Sequence, residues 1–76
     1  MNDKRIKYLI EGISKDIIAY LMEDKGIKMT DAISVFHNSE TFAKLSDPNT
    51  GLYIVSSAYV YAILKAELRF GKITLE

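Results

Sequence analysis

Residues 51–70, GLYIVSSAYVYAILKAELRF, constrain this chain more than any other stretch. They hold three of its five tyrosines and only three charged residues, Lys65, Glu67 and Arg69. After Gly51 come Leu52, Tyr53, Ile54 and Val55, an aromatic and β-branched run that predicts an extended connection over 53–55. Ser56 can cap a following helix, because a serine hydroxyl accepts from an exposed first-turn N–H. From 57 to 70 the residues favour helix, and Gly71 fits the left-handed position just past its end. Wound at about 100° per residue, Val60, Tyr61, Leu64 and Leu68 share one face and Tyr59, Ile63 and Phe70 a second. Lys65 and Arg69 leave only a narrow polar stripe. A helix this apolar needs cover on several sides, so it is either the central helix or the meeting place of two molecules. Glu67, projecting between the two faces, either reaches solvent or accepts from a tyrosine hydroxyl or a lysine.

The cover must come from the preceding residues. Over 3–25, Ile6, Leu9, Ile10, Ile13, Ile17, Tyr20 and Leu21 fall within an arc of about 120°, which predicts a long amphipathic helix. Asn2 or Asp3 can cap its start and Gly26 can end it. Its other side carries Tyr8, Gly12, Ala19 and Met22, and small residues there permit close approach of another helix. Two short helices follow. The first, over 31–37, is capped by Thr30, carries Asp31 at the positive end of its dipole, buries Ala32, Ile33 and Phe36, and stops at Asn38. The second, over 40–46, is capped by Ser39 and buries Phe42 and Leu45. Neither is long enough to stand alone, so both must dock on the longer pair. Asp47-Pro48-Asn49-Thr50-Gly51 is a turn: proline presets its first residue, Asp and Asn bond back to nearby N–H groups, and glycine supplies positive φ. The tail 72–76, KITLE, reads as frayed or as an edge contact.

The expected fold is therefore all-α, a single helical domain over 1–76. It is a small bundle of two longer helices (about 3–25 and 57–70) and two short ones (about 31–37 and 40–46). Ile10, Ile13, Ile17 and Leu21 are expected to pack against Val60, Ile63, Leu64 and Leu68. A chain of 76 residues buries only about 60–65% of its unfolded surface. With no cysteine, no disulfide or thiolate metal site can supplement that core, and self-association is the remaining source of stability.

Chemistry is hard to find. His37 is the only histidine and lacks an orienting acid nearby in sequence, although Ser34 and Ser39 flank it. Asp47, Asn49 and Gly51 alternate as in a calcium loop, but the twelfth position holds Ala58 rather than glutamate. The four glycines are isolated and build no phosphate loop. No catalytic residue, cofactor or metal is expected. The chain carries neither a signal-peptide pattern nor a span that could cross a membrane, so a cytoplasmic location is expected. Ten basic and ten acidic residues cancel and are interspersed, which gives no steering toward phosphate backbones. The two short helices have helix-turn-helix length, but the second offers only Lys44 as a base. Nucleic acid is therefore the less favoured partner.

The tyrosines point elsewhere. A large ring with a hydroxyl suits surfaces half in a core and half in an interface. Tyr8, Gly12, Ala19 and Met22 on the first helix, with Tyr53, Tyr59, Tyr61, Ile63 and Phe70 at the C-terminal end, form the candidate interface. The reading is a non-enzymatic protein-interaction module, homodimeric, with a small DNA- or RNA-binding regulator as the alternative.

Thr50-Gly51-Leu52-Tyr53, Ser56 and Tyr59-Val60-Tyr61, within SETFAKLSDPNTGLYIVSSAYVYAILKAEL, carry a resemblance to a group of short bacterial proteins of unknown function. The resemblance covers the C-terminal half, and the N-terminal helix only by pattern. It implies a small helical product encoded beside toxin-like or mobile-element genes, with an antitoxin-like or accessory, partner-binding role, and it supplies no catalytic residues.

Overall fold

The computed structural model describes residues 3–71, which form four α-helices and one 3₁₀ turn: α1 (Asp3–Lys25), α2 (Met29–His37), α3 (Glu40–Ser46), the 3₁₀ turn (Pro48–Thr50) and α4 (Ser57–Phe70). The expected all-α bundle is what forms. The expectations for Asn2 and for the tail 72–76 lie outside the described residues.

Local chemistry accounts for most boundaries. Gly26 and Gly71, at φ 63° and 79°, close α1 and α4 in the left-handed conformation, with N–H bonds to the Met22 and Glu67 carbonyls. Ser39 Oγ accepts from Phe42 N at 3.1 Å and Ser56 Oγ from Tyr59 N at 3.2 Å, so both serines cap as expected. At the reversal before α4, Asp47 Oδ1 accepts from Asn49 N at 3.0 Å, and Gly51, at φ 72°, makes the turn a side chain would strain.

Two boundaries differ from expectation. Thr30 does not cap α2. That helix starts at Met29 after Lys28, whose side chain makes no capping bond, and Thr30 lies inside its first turn. The position of α2 is set by Ala32 and Phe36 docking into the core, which outweighs the local preference of one hydroxyl. Residues 53–55 are not extended either: 52–54 are turn and Ile54 N bonds to the Gly51 carbonyl at 3.1 Å. β-propensity describes fit to a pleated surface, and no strand lies beside this run among the described residues.

The core gathers Ile13, Ile17 and Leu21 of α1, Ala32 and Phe36 of α2, Leu45 of α3, and Val60, Tyr61 and Leu64 of α4. The long helices run alongside each other in the same sense, because Ser57 Oγ donates to Asp16 Oδ2 and Tyr61 Oη to Asp24 Oδ2, each at 2.7 Å. Leu9 and Leu68, placed inward by periodicity, are exposed, and Phe42 is only half-buried. Ile18, outside the expected arc, packs half-buried against the core. No described helix is long and apolar enough to cross a membrane.

Candidate functional site

The helix ends converge on one carboxylate. Glu67 Oε2 accepts from Glu40 N at 2.7 Å, while Oε1 accepts from Thr41 N at 2.9 Å and Thr41 Oγ1 at 2.7 Å. The first N–H groups of a helix have no partner within it. In α3 they are satisfied by Glu67 at Glu40 and Thr41, by Ser39 Oγ at Phe42, and by the Ser39 carbonyl at Ala43. Thr41 is fully buried beneath this clasp. Burial alone would raise the Glu67 carboxyl. The Thr41 hydroxyl and the Glu40 and Thr41 N–H groups outweigh that and hold it below the ordinary glutamate value. Glu67 keeps partial access to solvent, but its partners are neither a tyrosine nor a lysine: it caps another helix. A sequence offers no sign of a contact spanning 26 residues.

On another face, α1 and the α2–α3 corner leave an open groove of about 730 Å³. Ile6, Ile10, Ile18, Phe42 and Pro48 give it an apolar floor, while Lys7, Glu11, Lys15 and His37 stand among its polar groups. The His37 ring stacks on Phe42 with centroids 4.5 Å apart, and Phe36 meets Phe42 edge-on at 5.2 Å. The volume suits a ligand or an inserted partner element. No group of three or more His, Cys, Asp or Glu residues that could hold a metal occurs among the described residues. Sequence reading missed this groove; the only available signal was Ile6, Ile10 and Ile18 recurring on a four-residue grid along α1.

The expected interface residues divide. Tyr8, Gly12, Ala19, Tyr59 and Phe70 are exposed, Tyr8 at 75% and Phe70 at 62%. A methyl group added at Gly12 would meet nothing within 4 Å, so the protomer itself gives no reason for glycine there. Met22 and Tyr53 are half-buried and pack on the core. Tyr61 and Ile63, at 7% and 8% exposure, are inside the protomer and do not belong to an open face. Ile63 sits one turn before Glu67, whose carboxylate holds α3 against that side of α4. Tyr61 is drawn in by Asp24, by a tilted contact with the Tyr20 ring at 5.1 Å, and by Lys65 lying 5.2 Å from its ring centre. Burial, reinforced by the bond to Asp24 and its charge, pushes the Tyr61 hydroxyl above the ordinary phenol range. Tyr61→Phe is expected to cost about 1 kcal/mol. That lowers Tm by about 4–8 °C in a chain of this size, measured by thermal unfolding.

Ile54, at 70% exposure, and Val55 precede α4 and, with Tyr59 and Phe70, leave large apolar side chains in water around that helix. Compared with models of protein families, with curated proteins and with solved structures, the chain has no match.

Proposed function

We propose that this protein is a non-enzymatic interaction module that works as a homodimer and binds a second, co-encoded protein through the outer side of α4. The observation that carries this reading is the exposed set Ile54, Val55, Tyr59 and Phe70, large apolar side chains that the described chain leaves between 37% and 70% exposed. Exposed rings with apolar neighbours are the usual anchors of a protein interface. The non-enzymatic part rests on the two groups best suited to chemistry. Both oxygens of Glu67 are spent on α3, and the His37 ring is stacked on Phe42.

The regulator alternative fares worse on the same geometry. A reading helix offers its N-terminal residues to base edges. In α3, Thr41 is buried and the helix N-terminus is already occupied by a carboxylate, which repels phosphate.

Isolation of the tagged protein from its native cells, followed by mass spectrometry, tests the proposal. The double variant Tyr59→Ser/Phe70→Ser is expected to lose the captured partner at least tenfold. Its unfolding free energy should stay within about 0.5 kcal/mol of wild type, because both side chains are surface groups. Undiminished capture by the variant, or a gel shift with DNA or RNA at low salt, would overturn the reading.

A further inference from the structure

The sequence carries a charge at every fourth position along the first half of α1: Asp3, Lys7, Glu11 and Lys15, alternating in sign. Four-residue spacing places Lys7, Glu11 and Lys15 in one ridge on the helix surface, and all three line the groove beside Ile6, Ile10 and Ile18. No ion pair among the described residues engages this ridge.

Such a ridge is its own complement when reversed. In an antiparallel pair of α1 helices centred at position 9, Lys7 of each copy faces Glu11 of the other. The parallel arrangement in register sets like against like. We infer that the groove is one half of a two-fold interface, and that its occupant is a second copy of this chain docked through α1 in the antiparallel sense. This rests on the homodimeric reading above and assigns it a face, leaving the outer side of α4 to the other partner.

Two further features fit this occupant. With position 9 at the centre, the groove wall on α1 from Ile6 to Lys15, about 14 Å at the α-helical rise, lies opposite residues 12 to 3 of the partner helix, and Ile18 lies beyond that helix's start. In an antiparallel two-fold pair, like flanks meet on the same side of the axis. The apolar floors of the two grooves then line a single shared cleft, which one protomer alone leaves open. Rim charges of this kind set register and partner choice more than affinity, which the apolar floor supplies.

The test uses two single variants. Lys7→Glu sets two pairs of carboxylates against each other across the axis, and Glu11→Lys sets two pairs of ammonium groups. Sedimentation velocity over a concentration series should show wild type dimerising and each variant alone weakened about tenfold or more. An equimolar mixture of the two should recover the dimer, since Glu at position 7 then faces Lys at position 11. Within α1 each variant sets like charges four residues apart, carboxylates in Lys7→Glu and ammonium groups in Glu11→Lys, and mixing cannot repair a folding defect inside one helix; circular dichroism of each variant monitors that defect. Raising ionic strength should weaken the wild-type dimer. A wild-type protein that remains monomeric throughout would overturn the homodimeric reading itself. Dimerisation of both variants like wild type, or a mixture no tighter than its parts, would leave that reading standing and overturn the α1 interface. The groove would then belong to a different protein.

Discussion

Replacing Phe36 with alanine is expected to destabilise the fold by about 3–5 kcal/mol, the upper range for truncating a buried side chain. A domain of 76 residues has about 4–11 kcal/mol in total, so the variant loses from about a quarter of its stability to all of it and, at the lower end of that range, is substantially unfolded at 37 °C. Phe36 is fully buried, shares the core with Ile17, Leu21 and Leu45, and meets the Phe42 ring edge-on. Its position explains the size of the effect. α2 has nine residues and α3 seven, both too short to persist without docking. Phe36 joins α2 to α1 and to α3 at once, so its loss leaves a cavity that neither short helix can close without undocking from the other. Urea unfolding followed by far-ultraviolet circular dichroism measures the change. A loss under about 1 kcal/mol would mean that α2 and α3 are held chiefly by something other than this core.

The fold was legible wherever the signal was local and repeated. Twenty-three residues of α1 write their inward face six times over, from Ile6 to Leu21. Ser39, Ser56, Gly26 and Gly71 each mark a boundary through chemistry that acts within four residues. Thr30 was misread because a cap is worth about 1 kcal/mol, less than the seating of Phe36 two turns later. The turn at 52–54 was misread because Tyr53, Ile54 and Val55 have β-propensity but no neighbouring strand to satisfy it.

The interface was only half legible, for a related reason. Helical periodicity places Tyr59, Ile63 and Phe70 on one side of α4, and Tyr59 and Phe70 are indeed exposed. It cannot say where the other helices will land, and Ile63 is buried in the protomer. A tyrosine hydroxyl wants a partner, which makes Tyr61 read as interface, and that partner is Asp24 within the same chain. The groove left only the spacing of Ile6, Ile10 and Ile18 as a sign and the Glu67 clasp left none, since each is made by residues that only the packing of separate helices brings together.

That clasp yields the second large effect. Glu67→Ala is expected to cost about 2–3 kcal/mol and lower Tm by about 10–20 °C, because it strips partners from three donors around Thr41, a residue with no access to water. Glu67→Gln keeps the shape but removes the charge, and one of its terminal atoms is a donor facing donors, so it should recover less than half of the loss. The pH dependence separates charge from packing. The Glu67 pKa is lower in the folded state than in the unfolded chain, so the unfolded state binds the proton more tightly. Its stabilising contribution is therefore fully present above the ordinary glutamate value, about 4.3, and is lost as pH falls through the lower folded value. Wild type should lose stability over that acid window more steeply than Glu67→Gln, the two curves converging at the lowest pH. Equal slopes would show that the carboxylate charge contributes nothing to holding α3. If α3 does depend on that charge, acid should release it before α1 and α4 part. The groove would then lose Phe42 and Ser46 from its wall while the helix carrying Lys7 and Glu11 stayed intact.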